Sequence, residues 1–349
     1  MADWWIFRGD GEPHDGVARL PAPLHSRLFD GGPPIEPQFG TARATEQHLG
    51  SPTQGQALLL SAKDIDLINA AIYWRRPLLV SGSPGTGKST IAHAVAHELR
   101  LGSVLHWPVT SRSTVQDGLY TYDALARLED ANLLRAHGGG GGGADAADPP
   151  GGGPATPGTD IGRYIRLGPL GTALLPHERP RVLLIDEFDK GDSDLPNDLL
   201  HVFENGEFAL PELLRLRQSR PRTDVGVTGG DEPVTVQDGR VRCRAFPIVV
   251  ITDNAEHDYP AAFLRRCVRL RLEEPSRERL AGIVAAHLGP AVARQSDDLI
   301  DAFLDSRQDG TVATDQLLGA VYLASAARLG VEDRRELAQS ILAPLDPGP

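Results

Sequence analysis

The sequence predicts an α/β core, with buried strands set between helices, followed by an all-α domain. Three observations predict it. Wholly apolar runs at 78–80, 182–185 and 248–251 read as strands buried on both faces. The first of them leads straight into a glycine-rich turn and then a helical repeat, Ile91, Val95 and Leu99. After Pro275 the strand pattern stops, and helical periodicity takes over at 277–287, 297–306, 314–327 and 332–342.

The glycine-rich turn carries the chemistry. Gly82, Ser83, Pro84, Gly85, Thr86, Gly87, Lys88 and Ser89 match G-x-x-x-x-G-K-[ST], the phosphate-binding loop, and Thr90 supplies the next hydroxyl. Gly85 and Gly87 allow backbone angles that turn successive N–H groups inward. Those groups, with the positive end of the following helix, form an anion site. Lys88 brings a point charge for the β- and γ-phosphates of a nucleotide such as ATP, and Ser89 a hydroxyl for Mg²⁺.

Totals bound the remaining choices. The 349 residues leave room for two domains, and 40% hydrophobic content fits a globular chain. A net charge of −12 argues against broad binding to DNA or an anionic membrane, so nucleic acid is not an expected partner. Cys243 and Cys267 are too few and too scattered for a disulfide framework or a Cys-rich zinc site. No apolar run reaches the ~20 residues that span a bilayer. Trp4-Trp5-Ile6-Phe7 lacks the basic start and long apolar region of a signal peptide, and the cytoplasm is the expected compartment.

In chain order, residues 1–50 form a Pro/Gly-rich N-terminal segment in which Trp4 to Phe7 are expected to pack onto the core. A helix at 58–74 precedes the phosphate loop, a strand at 104–107 follows it, and 119–134 reads as one helix. Six consecutive glycines and several prolines mark 136–158 as a disordered insertion. A strand at 164–167 turns through Gly168-Pro169-Leu170 into a short helix, and Asp194 is expected to cap a helix over 195–204. Residues 206–246 read as a hairpin insertion around Asp238-Gly239, rich in arginine, and 268–272 as an alternating edge strand. The core thus covers 51–275, and a helical domain 276–349.

The strand at 182–185 ends in Asp186 and Glu187, which would face the phosphates at the carboxyl edge of an open parallel sheet. Asp186 is assigned to Mg²⁺ and Glu187 to polarising the attacking water. Asn254, past the strand at 248–251, is placed to orient that water or touch the γ-phosphate. Arg265 and Arg266 stand on a short helix from which a guanidinium stabilises transferring phosphate, one of them across a subunit boundary.

The phosphate loop, Ile185-Asp186-Glu187, the Thr-x-Asn strand end and Pro260-Ala261-Ala262-Phe263-Leu264-Arg265-Arg266 resemble the AAA+ ATPases, and most closely their MoxR branch. Gly168-Pro169-Leu170 is similar to a motif that branch shares with McrB-type GTPases. The resemblance covers about 51–343. It implies a three-layer αβα core on a five-stranded parallel sheet, a helical lid, and a homo-oligomeric ring, usually a hexamer. It also implies Mg²⁺ and ATP at Lys88, Ser89 and Asp186, Asn254 as the sensor residue, and Arg265 or Arg266 as the arginine finger, with Arg266 the slightly better match. A von Willebrand A-type partner is a further implication. Gln316 departs from the pattern, because it occupies the lid position where the family places an arginine, and an amide does not replace a guanidinium on phosphate. Three functions follow in order: an ATPase that remodels or activates a partner protein, a slowly hydrolysing switch or assembly platform, and a GTP-dependent translocase subunit.

Overall fold

The computed structural model describes residues 2–35, 60–138, 160–254, 258–308, 312–327 and 330–342. Most of the glycine-rich stretch expected to be disordered lies outside those residues. Strands and helices alternate through the core: α1 (Ala62–Trp74), β1 (Leu78–Ser81), α2 (Thr90–Glu98), β2 (Leu105–Pro108), α3 (Val115–Leu119), β3 (Tyr120–Tyr122), α4 (Ala124–Gly138), β4 (Ile165–Leu167), α5 (Pro169–Ala173), β5 (Val182–Asp186) and α6 (Leu195–Asn205). Then come β6 (Glu207–Ala209), α7 (Pro211–Leu214), β7 (Arg222–Val225), β8 (Val234–Gln237), β9 (Arg240–Arg242), β10 (Ile248–Asp253), α8 (Ala261–Leu264) and β11 (Val268–Arg271).

Among the described residues, a five-stranded sheet runs in the order β11-β1-β10-β5-β2, every pair parallel. The apolar strands β1, β10 and β5 lie in its middle, and alternating β11 and β2 form its edges, as burial on two faces against burial on one requires. One face packs α5, α6 and the smaller sheets; the other packs α1 and α2. Register sets the site. Ser81 pairs with Asp253 and Ile251 with Ile185, so the phosphate loop, Asn254 and the acidic pair leave neighbouring strands at one edge.

Local chemistry explains the frame around the loop. Ser61 and Asp64 form a reciprocal cap at the start of α1. Its last turn closes on Arg75 in the left-handed region, two residues before Pro77. The N-terminal segment is fastened to this frame. Ile6 and Phe7 are fully buried against α1 and α2, and the buried Asn69 amide accepts from both their N–H groups at 2.7 and 2.9 Å. The Asn69 Nδ2 donates to Phe7 O and Ile65 O. Glu98, at the end of α2, accepts the Arg8 and Gly9 N–H groups at 2.5 and 2.9 Å.

Three expectations need correction. The single helix over 119–134 is divided: Tyr120–Tyr122 is a strand, paired antiparallel with β4, and α4 starts after it. Tyr-Thr-Tyr favours a pleated, half-buried surface, and that preference outweighs the helical spacing around it. The insertion at 206–246 is more than a hairpin, because β6, β9, β8 and β7 form a four-stranded sheet in that order. Its Arg240 and Arg242 pair with Glu207, which neutralises part of the basic run. Asp194 precedes α6, but its side chain makes no capping hydrogen bond.

Behind the core follow α9 (Arg277–Leu288), α10 (Pro290–Arg294), α11 (Asp297–Gln308), α12 (Thr314–Ala326) and α13 (Val331–Ile341). They enclose their own apolar cluster, with Leu280, Phe303, Leu317 and Val321 fully buried. Helix α10 is not expected from the sequence; Gly289, at φ +94°, turns the chain into it. Among the described residues no helix is long and apolar enough to cross a membrane.

One buried histidine makes the fold pH-dependent. His177 donates from Nε2 to Thr172 O at 2.9 Å and is 2% exposed. Burial lowers its pKa to about 4, the hydrogen bond opposing and Arg181 adding to the effect. Unfolded, the ring takes its proton near pH 6.5, so the unfolded state binds more protons between the two values. Stability is therefore full above about pH 6.5 and falls by ~3 kcal/mol as pH drops toward 4. Melting temperature against pH should show this slope in the wild type and a flatter one in His177→Gln.

Candidate functional site

The site is built where β1, β10 and β5 end. Gly85 and Gly87 stand at φ +75° and +85°, so the loop turns as only glycine turns easily. Gly85 has a second constraint: a Cβ there would lie 2.5 Å from the Thr314 N at the start of α12. The helical domain therefore rests directly on the phosphate loop.

Lys88 uses its three donors inside the loop and on the neighbouring strand end. Its Nζ donates to Gly82 O at 2.7 Å, Ser83 O at 3.0 Å and Asn254 Oδ1 at 2.9 Å. Burial lowers its pKa, and the carboxylates of Asp189, Asp253, Asp186 and Glu187 push the other way. An ammonium held in a dense acidic surround is prepared for phosphate only together with a second cation.

Asp186 is positioned for one. Ser89 Oγ donates to its Oδ1 at 2.7 Å, Thr252 Oγ1 donates to the same oxygen at 2.5 Å, and His106 Nε2 lies 3.3 Å from Oδ2. Burial alone would raise the Asp186 pKa, but the bonds from His106, Thr252 and Ser89 prevail and hold it at about 2. Asp186 is a carboxylate at any working pH. The oxygen pair of Ser89 and Asp186 fits Mg²⁺, a hard cation that takes oxygen ligands and keeps several waters.

Glu187 lies at φ 57°, ψ 46°, in the left-handed region. Its N–H donates to Thr252 Oγ1 at 2.9 Å, so Thr252 ties both members of the acidic pair to β10. The Glu187 carboxylate is turned outward onto Lys190 Nζ at 2.7 Å. Asn254 donates from Nδ2 to Asp189 Oδ2 at 3.1 Å.

The arginine pair divides. Arg266 is engaged by Glu204 on α6 and by Ala262 O. Arg265 is exposed and donates its Nε to Ala261 O on its own helix. Gln316 is occupied within the helical domain: its Oε1 accepts from Ala313 N at 2.9 Å and its Nε2 donates to Ile341 O at 3.1 Å. The helical domain does bring one cation toward the loop, and it is one that sequence reading missed. Arg307, with a side chain 7% exposed, lies 3.7 Å from Glu274, whose carboxylate also accepts from Ser83 Oγ at 3.2 Å. One guanidinium nitrogen of Arg307 is buried without a hydrogen-bond partner among the described residues.

A protein-family model described as AAA domain (dynein-related subfamily) matches residues 77–267, just over half of the chain. The chain belongs to this AAA family. As an AAA domain with a phosphate loop and an acidic strand end, it is an ATP hydrolase. None of the curated proteins matches it. Among solved structures it is similar to NtrX from Brucella abortus in complex with ATP, at 14% identity and a TM-score of 0.36, over 82% of this chain and 53% of that one. The chain thus spans about half the length of NtrX. It is also similar to the FIGL-1 AAA domain in complex with ADP, at 13% identity and a TM-score of 0.34, over 95% of this chain and 91% of that one. A RuvB mutant from Thermotoga maritima aligns at 13% identity and a TM-score of 0.36, over 88% and 73% of the two chains. The family match carries the identification; these distant likenesses do not.

Proposed function

We propose that this AAA domain is a MoxR-type ATPase that assembles with copies of itself and uses Mg-ATP hydrolysis to remodel or activate a partner protein in the cytoplasm. The observation behind it is the gathering of Lys88, Ser89, Asp186, Glu187 and Asn254 at one sheet edge, where Lys88 bonds Asn254, Ser89 bonds Asp186, and Thr252 ties Asp186 to Glu187. Lys88 and the loop hold the phosphates, and Ser89 and Asp186 hold Mg²⁺, which when bound neutralises phosphate charge. Glu187 takes a proton from the attacking water once its carboxylate leaves Lys190, and Asn254 aligns that water. The MoxR resemblance names a von Willebrand A-type protein as the partner class.

Arg265 is the better candidate for the finger. It is exposed and, among the described residues, has no acidic partner in its own chain, whereas Arg266 is engaged by Glu204. Such a residue acts on a neighbouring copy's nucleotide, which requires copies to assemble side by side. The second reading, a slow switch, draws support from the Lys190 pairing of Glu187 and the internal use of Gln316.

ATP and GTP turnover, with oligomer mass measured with and without nucleotide, tests the proposal. ATP turnover in a nucleotide-built oligomer is expected. Arg265→Ala should lose roughly 10³-fold in turnover while still binding ATP. Mixing it with Lys88→Ala should restore part of the activity, since each variant supplies what the other lacks. Full turnover by an Arg265→Ala monomer would overturn the shared site, and tight binding with negligible turnover in the wild type would select the switch.

A further inference from the structure

The acid Asp189 has no part in the chemistry assigned so far, yet it is 5% exposed and sits beside the reacting groups. It belongs to the short 3₁₀ turn Phe188–Lys190 that follows the acidic pair, and Phe188 stacks on Tyr259 and Phe263 to hold that turn in place. Its Oδ2 accepts from Asn254 Nδ2 at 3.1 Å, and its Oδ1 is buried without a hydrogen-bond partner among the described residues. On its other side Asn254 meets Lys88, whose ammonium donates to Oδ1 at 2.9 Å.

Donor inventory decides what this does. A carboxylate only accepts, and an ammonium only donates. Between the two, the Asn254 amide has one satisfied orientation: NH₂ toward Asp189, carbonyl toward Lys88. Reversing it would set a carbonyl against a carboxylate and an NH₂ against an ammonium, two buried repulsions.

We infer that Asp189 is a positioning residue that fixes the direction of the Asn254 amide, so that Asn254 presents a hydrogen-bond acceptor, and not a donor, toward the phosphates. The inference rests on the hydrolase reading and narrows it. Asn254 then acts on the attacking water, by accepting one of its protons as a hydrogen bond and aiming the oxygen at phosphorus. It does not act on the γ-phosphate oxygens, which need donors. The Asn254 carbonyl becomes available when phosphate draws Lys88 away.

The test compares wild type, Asp189→Asn, Asn254→Asp, Asn254→Ala with and without Asp189→Asn, and the exchanged pair Asp189→Asn/Asn254→Asp, reading kcat, KM, ATP affinity and melting for each. In Asp189→Asn the amide of residue 254 is free to reverse, and kcat should fall by about tenfold to a hundredfold with ATP affinity within about twofold. In the exchanged pair, the amide introduced at position 189 donates to the carboxylate introduced at position 254, whose second oxygen again faces Lys88 as an acceptor. That pair should turn over about tenfold faster than Asn254→Asp alone. Adding Asp189→Asn to Asn254→Ala should cost nothing further. A purely structural role for Asp189 would lower melting in both backgrounds and give no rescue. Asp189→Asn with wild-type kcat, or an exchanged pair that is no faster than Asn254→Asp or fails to fold, overturns the inference. A wild type without turnover brings down the hydrolase reading and the inference with it, whereas an active wild type with an unaffected Asp189→Asn brings down the inference alone.

Discussion

Glu187→Gln should bind ATP as the wild type does and turn it over roughly 10²- to 10⁴-fold more slowly, the range that loss of a positioned base removes. The substitution keeps the shape of the side chain and removes its basicity. Nothing in the phosphate grip depends on it: Lys88, Ser89 and Asp186 make their contacts without the Glu187 carboxylate. The backbone N–H of residue 187 keeps its bond to Thr252, so the left-handed turn is retained. Steady-state phosphate release and a fluorescent-nucleotide titration, run side by side, check both halves. Turnover within tenfold of the wild type would place the base elsewhere. Loss of ATP affinity would mean that Glu187 holds the loop and does not act on water.

Asn69→Ala should have the largest effect on stability. Its amide is fully buried and makes four hydrogen bonds, two accepted from Ile6 and Phe7 and two donated to Phe7 and Ile65. Removing it strands the Ile6 and Phe7 N–H groups and the Phe7 carbonyl in an apolar layer, whereas Ile65 O keeps its helical bond, at ~4 kcal/mol in total after partial relaxation. That is a large part of the roughly 5–15 kcal/mol of a typical native state. Melting should fall by roughly 5–10 °C, and limited proteolysis should cut within the first thirty residues before the core is touched. Unchanged melting with intact protease resistance would show that packing of Ile6 and Phe7 alone retains the segment.

Much of the site is legible in the sequence because its signals are local. The phosphate loop is eight consecutive residues after a strand, and Asp186, Glu187 and Asn254 each follow closely on an apolar run. What is not legible depends on which strands become neighbours. Thr252 reads as an ordinary strand residue until β10 lies beside β5 and brings its hydroxyl to Asp186. Asp189 needs the same adjacency to meet Asn254. Arg307 needs the helical domain to rest on the loop before Glu274 can link it to Ser83. The misread elements fail for a related reason. Tyr120–Tyr122 and Arg222–Val225 are short segments whose strand character is completed by distant partners, Ile165–Leu167 in one case and Val234–Gln237 in the other. Gln316 is legible as a neutral side chain, yet only its contacts with Ala313 and Ile341 reveal what occupies it.

The anchoring of the first residues also dictates an order of events during synthesis. Ile6 is made 63 residues before Asn69, and Arg8 90 residues before Glu98. Until α1 and α2 have both emerged, Trp5, Ile6 and Phe7 are an apolar run with nothing to cover it. The segment is made before α1 and α2 and docks late, after the closure of a long loop. In that interval the nascent chain offers a chaperone a ready hydrophobic handle, one that disappears when the two helices beside the phosphate loop are in place.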